Sequence, residues 1–116
     1  MNPFTDLPPI KITPKPWGRE SLISKSDPNI QLKLLHINKG EQLSLQYHNQ
    51  KAEFMICLQG KAVMYGTQKL YIPGDYIYLS PKTVHRITAL DNCIFIELSS
   101  GDDKDIVRLD DKYGRI

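Results

Sequence analysis

Gln46, His48 and Glu53 lie in the stretch GEQLSLQYHNQKAEFMICLQG (residues 40–60), spaced so that one concave surface could present an imidazole nitrogen, a carboxylate and an amide oxygen. That donor set suits a hard-to-borderline divalent cation. A His beside a Glu is also an ordinary surface pair, so the three residues alone leave both readings open. A second patterned stretch, PGDYIYLSPKTVH (residues 73–85), ends in another imidazole, His85. The third histidine, His36, sits in the apolar run LKLLHI and reads as a structural or exposed residue.

These groups need strands to hold them. In LSLQYH (residues 43–48) side chains alternate, so Ser44, Gln46 and His48 share one face and Leu43, Leu45 and Tyr47 the other. Asn49 to Ala52 form a polar turn, and the strand FMICL after Glu53 would fold back as an antiparallel hairpin, setting Glu53 beside His48. Strand patterns also cover ESLIS, IQLKLLHI, KAVMY, KLYI, YIYL, RITAL and CIFIEL, separated by Gly, Pro, Asn and Asp turns such as SDPN (residues 26–29). Such short, evenly spaced strands predict an all-β barrel or sandwich, an antiparallel barrel of roughly six to ten strands. One domain spans residues 1–116. Its Pro-rich arm, about residues 1–16, is extended at an edge, with IKI able to pair as an edge strand. The charged tail, about residues 100–116, ends in a strand or a helical turn.

With 116 residues, 41% apolar and 24% charged, the chain holds one core. The net charge of +2 comes from 15 basic and 13 acidic residues without a basic block, which argues against nucleic acid as a partner. No apolar run is long enough to span a bilayer and no signal-peptide pattern opens the chain, so no membrane partner is expected. Cys57 and Cys93, lone thiols in apolar strands, read as buried and reduced, hence a cytoplasmic setting.

The spacing G-x5-Q-x-H-x4-E-x6-G followed by G-x5-S-P-K-x2-H resembles the two motifs of the cupin superfamily. The resemblance implies a double-stranded β-helix, or jelly-roll, barrel holding one divalent ion, with Gln46, His48, Glu53 and His85 as ligands. Gln46 replaces a histidine common in cupins; a neutral amide ligand favours zinc or another Lewis-acid ion over redox iron. The alternative is an empty barrel whose polar residues are tied by hydrogen bonds.

KPWG (15–18), LSLQYH (43–48), VHR (84–86), IVR (106–108) and YGR (113–115) further resemble the cupin domain of type II mannose-6-phosphate isomerases and small stand-alone cupins of that type. In the bifunctional enzymes this domain is fused to a guanylyltransferase domain, for which 116 residues leave no room. The family pattern H-H-H-R-A-E-H is here HNQKAEF, the P-x-G before the second-motif His is Ser80-Pro81-Lys82, and a late Asn is Ala89. The resemblance therefore carries metal binding further than it carries catalysis. If the chain is an isomerase, aldose–ketose interconversion of a phosphorylated sugar needs a base, an enediolate-stabilising cation and phosphate-binding groups. Lys33 and Arg86 are the catalytic candidates, and Arg115, Tyr78 and Trp17 the substrate-binding ones; Arg86 and Arg115 would also serve the phosphate. A solvated cation for Lys33, Arg86 and Arg115, and core packing for Trp17, are the plain alternatives. Tyr76 and Tyr78 point one way, into the cavity or onto a subunit interface; a homodimer is expected. The rival functions are a non-catalytic sugar- or metabolite-binding cupin and an iron-dependent dioxygenase.

Overall fold

The computed structural model describes residues 10–26, 30–67 and 69–116; residues 27–29 of the SDPN turn and most of the Pro-rich arm lie outside them. Every regular element among these residues is a strand: β1 (Lys11–Lys15), β2 (Gly18–Ser26), β3 (Ile30–Ile37), β4 (Leu45–Tyr47), β5 (Glu53–Gln59), β6 (Ala62–Met64), β7 (Leu70–Tyr71), β8 (Tyr76–Leu79), β9 (Ile87–Ala89), β10 (Cys93–Ser100) and β11 (Val107–Asp110). No helix among them is long and apolar enough to cross a membrane.

One layer is a six-stranded antiparallel sheet in the order β1-β2-β3-β10-β5-β8. Opposite it lie a β11-β4 pair and a β7-β6-β9 sheet. Bridges Gln42↔Thr88 and Gln46↔His85 stitch these two small sheets into one wall. The IKI edge segment does pair, with β2 of its own chain, and Pro14 sits on that edge, where its missing N–H costs no ladder bond to an outer neighbour. The tail resolves as a strand, β11, paired with β4.

Register shows how the barrel is graded. Directly paired residues share a face, so the inner wall of β3, β10 and β5 reads Leu35–Phe95–Cys57 in one row and Lys33–Glu97–Met55 in the next. Beyond that row come Gln31, Ser99 and Glu53. The floor is therefore apolar, closed by Trp17, Ile37, Leu43, Ile87 and Cys93 from both layers. Burying each of Phe95, Leu35 and Ile37 contributes roughly 1.5–3 kcal/mol. The other end carries charge. Gly60 makes the turn after β5 with φ of 86°, and a side chain there would run into the Asn92 carbonyl.

The expected hairpin between the first-motif strands does not form. Strand β4 pairs with β11, while β5 lies in the opposite layer between β10 and β8. Residues 48–52 thus cross from one wall to the other instead of turning back along one sheet. His48 and Glu53 meet across the barrel interior, each from its own layer.

Candidate metal centre and cavity

His48, Glu53 and His85 are all buried, and one ligand atom of each lies within 4.8 Å of the other two. His48 leaves the end of β4, Glu53 opens β5, and His85 is fixed by reciprocal backbone bonds with Gln46 (2.9 and 3.1 Å). The imidazole centroids are 5.3 Å apart. His48 Nδ1 lies 2.5 Å from the Asp105 carbonyl and His85 Nδ1 lies 2.9 Å from the Thr83 carbonyl. A carbonyl only accepts, so both Nδ1 atoms donate, and a ring in its neutral form then carries its lone pair on Nε2. Those two Nε2 atoms are buried and have no hydrogen-bond partner. Yet His48 Nε2 rests against Glu53 Oε1, and His85 Nε2 is 4.0 Å from the same oxygen.

Two orphaned imidazole lone pairs aimed at one buried carboxylate fit a divalent cation. Backbone carbonyls fixing the far ring nitrogens are the usual support for histidine ligands. Gln46 pairs directly with His85, so its buried side chain projects on the same side.

Burial works against the charged Glu53 carboxyl, but contact with His48, then the Lys51 ammonium, holds it below the usual carboxylate range. Burial lowers His85, only partly offset by Glu53, which keeps the ring neutral and able to bind a cation.

A cavity of about 130 Å³ opens beside the cluster, lined by Gln46, His48 and Glu53 together with a ring of charges. Lys33 contacts Glu20 at 3.1 Å and Asp103 at 3.0 Å. Lys51 contacts Asp103 at 3.2 Å, Glu97 at 3.6 Å and Glu53 at 4.0 Å. Desolvation opposes the charge on Lys33, yet Glu97, Glu20 and Asp103 outweigh it and raise its pKa. Lys33 is thus an inner-wall ammonium, as one of its two sequence readings had it, but a donor and not a proton acceptor at neutral pH. Glu97 is pushed up to about 8, first by burial and then by neighbouring Glu53.

Trp17 and Arg115 line the cavity, Trp17 also packing into the core. Arg115 is already engaged, its guanidinium meeting Asp111 at 2.8 and 2.9 Å. Two expected site residues are elsewhere. Arg86 is not among the residues lining the cavity; it donates to the Leu43 carbonyl (2.9 Å) and to Asp110 (2.7 Å), tying β9's entry to β11. Tyr78 is 60% exposed on the outer face, because its neighbour Leu79 is the β8 residue that turns inward. His36 is likewise on the outer side of β3, facing away from Leu35 and the core.

Lys51, Asp103 and Arg108 were given no role from the sequence, where Glu97, like Glu41, is too poorly placed to name as a base. Lys51 was read as part of a polar turn but is 5% exposed. For Glu97 a signal existed: in CIFIEL it shares a face with Cys93 and Phe95, a lone charge on an apolar stripe. Asp105 was also unmarked; its carboxylate accepts the backbone N–H groups of Asn49, Gln50 and Lys51 at 2.8–3.0 Å.

A two-layered β-helical barrel with a His/Glu cluster at its polar end defines a cupin. The chain belongs to the family described as "Mannose-6-phosphate isomerase C-terminal", whose model matches residues 10–111. It is similar to the mannose-1-phosphate guanylyltransferase of Escherichia coli, 32% identical over 112 residues that cover 88% of this chain and 23% of that protein. It is also similar to the alginate biosynthesis protein AlgA of Pseudomonas aeruginosa, 31% identical over 87% of this chain and 22% of that protein. The chain thus spans less than a quarter of the length of these curated relatives. In fold it matches an RmlC-like cupin from Shewanella frigidimarina, with a TM-score of 0.72, 15% identity, and coverage of 82% of this chain and 86% of that one.

Proposed function

We propose that the protein is a zinc-dependent aldose–ketose isomerase acting on a phosphorylated sugar of the mannose 6-phosphate type. The observation that carries this reading is the pair of partnerless Nε2 atoms converging on Glu53 beside a cavity walled by lysine and arginine. Family membership, and relatives whose names contain mannose 1-phosphate, support the sugar-phosphate class.

His48 and His85 would hold the ion through Nε2, Glu53 through a carboxylate oxygen and Gln46 through its amide oxygen. When bound, such an ion supplies a Lewis acid for the carbonyl and hydroxyl oxygens of an open-chain sugar. Three other carboxylates line the cavity: Glu20, Glu97 and Asp103. Glu20 and Asp103 ion-pair with Lys33; Glu97, buried opposite Lys33 and 3.6 Å from Lys51, is the carboxyl whose pKa burial raises, and we assign it the proton transfer between C1 and C2. Lys33 and Lys51 donate hydrogen bonds to the sugar oxygens, and their fixed charge favours the enediolate over the ground state.

A coupled assay of zinc-loaded protein with mannose 6-phosphate tests this reading. Fructose 6-phosphate should form, and Glu97→Gln should remove turnover without lowering zinc content. Binding without turnover in the wild type would reduce the protein to a sugar-phosphate-binding cupin.

We further propose that the chain pairs with a second copy through the outer face of the six-stranded sheet. Two outer rows there are apolar from strand to strand: Leu32–Leu98–Phe54–Tyr78 and Leu34–Ile96–Ile56–Tyr76. Tyr76 stacks on Phe54 at 5.4 Å, yet Tyr76, Tyr78 and Leu98 remain largely exposed.

A further inference from the structure

Three arginines cluster around β11, and their engagement differs. Arg86 is held by Asp110 and Arg115 by Asp111, each guanidinium within 2.9 Å of a carboxylate. Arg108 has no such partner among the described residues: its Nε is buried, makes no hydrogen bond, and the side chain lines the cavity. A guanidinium N–H withdrawn from water without an acceptor costs free energy that a ligand oxygen can recover.

The position of Arg108 is equally specific. It pairs directly with Gln46, and Gln46 pairs directly with His85. Side chains of directly paired residues project to the same side, so Arg108, Gln46 and His85 form one row across the barrel wall. Neighbouring strands lie about 4.8 Å apart, which places Arg108 roughly 10 Å of backbone from His85. A molecule with one oxygen at the His/Glu cluster and an anionic group a few bonds away would span that row. Lys15 and Arg115, lining the same cavity, add positive potential.

We propose that Arg108 is the residue that recognises the phosphate of the substrate, the role that sequence reasoning gave to Arg86 and Arg115. A planar guanidinium matches two phosphate oxygens at once, which an ammonium cannot do. The proposal rests on the sugar-phosphate reading above and names which end of the ligand meets which end of the cavity.

Zinc-loaded wild type, Arg108→Ala and Arg108→Lys are titrated calorimetrically with inorganic phosphate, mannose 6-phosphate and unphosphorylated mannose, with zinc content measured alongside. Arg108→Ala should weaken phosphate and mannose 6-phosphate by at least tenfold, leave any mannose binding and the zinc content unchanged, and be partly rescued by lysine. Equal affinity of wild type and Arg108→Ala for mannose 6-phosphate overturns the Arg108 assignment while the sugar-phosphate reading stands. Arg108-dependent binding of inorganic phosphate without binding of mannose 6-phosphate keeps the anion site and sinks the sugar. Failure of the wild type to bind either anion overturns both.

Discussion

Glu97 lies directly opposite Lys33 on the inner wall, the two joined by the β3–β10 register in the first row above the apolar floor. Both are buried, and Lys51, Glu20 and Asp103 complete a network in which every charge has an opposite within reach. Lys33→Met alone leaves Glu20 without its cation and Glu97 with Lys51 only, and should cost about 3–5 kcal/mol in urea unfolding. The double variant Lys33→Met/Glu97→Leu should recover most of that loss. An additive pair of losses would show that the two side chains do not act on each other.

Among the described residues Lys82 is the non-glycine residue with positive φ, at 68°, where the family pattern has glycine. Its N–H donates to the His48 carbonyl at 2.6 Å, so the left-handed turn of Ser80-Pro81-Lys82 bolts the second motif onto the first. Lys82→Gly removes the Cβ penalty and gains freedom in the unfolded chain; the first term is larger. A gain of about 0.5–1 kcal/mol in chemical denaturation is expected, with zinc content unchanged. A loss of stability would mean that the lysine side chain, and not the backbone, maintains this turn.

Asp105 serves the candidate metal centre twice, its carbonyl receiving His48 Nδ1–H and its carboxylate capping residues 49–51. Asp105→Ala frees three backbone N–H groups and slackens the segment that carries His48 into place. Zinc affinity should fall about 10–100-fold, the range for losing a group that orients a ligand. Competition with a chromogenic chelator measures it, and wild-type affinity would remove Asp105 from the site.

The carboxyl of Asp111 is held down at about 2, chiefly by the Arg115 side chain, against the opposing effect of burial. Its folded value lies below the unfolded one near 3.9, so ionised Asp111 stabilises the fold above pH 4. That contribution fades as pH falls through 4 towards 2. Thermal unfolding at pH 7 and pH 3 should therefore differ less for Asp111→Asn than for the wild type. An identical difference would show that the clamp on Arg115 contributes nothing to stability.

The apolar outer rows make their own prediction. Leu98→Glu places a charge in the middle of that face, where a second copy would bury it. Light scattering should show a dimer for the wild type and a monomer for the variant, with the fold intact by circular dichroism. A wild-type monomer at high concentration would rule the interface out.

Strand identities were legible in the sequence because turns are punctuated by Gly, Pro and Asn and because strands alternate. The convergence of His48, Glu53 and His85 followed from motif spacing. Alternation states which residues share a face and not which face is inside. Ile77 and Leu79 could have faced out as well as Tyr76 and Tyr78, and only packing of Leu79 opposite Glu53 decides it. The hairpin expectation failed for a related reason. Proximity in sequence suggested that β4 and β5 pair, but each found a remote partner, β11 and β10. Lys51 and Arg108 were invisible because a buried charge is defined by neighbours that arrive from distant strands.

The contributions of residues 101–115 bear on how the protein is made. Asp103, Asp105, Arg108 and Arg115 emerge from the ribosome after His48, Glu53 and His85 are already synthesised. A nascent chain that has reached residue 100 owns its three candidate ligands but lacks the carbonyl that sets the tautomer of His48. On the proposed metal-binding reading, cation capture would be coupled to translation through residue 105, and a chain stalled before it would hold zinc less tightly.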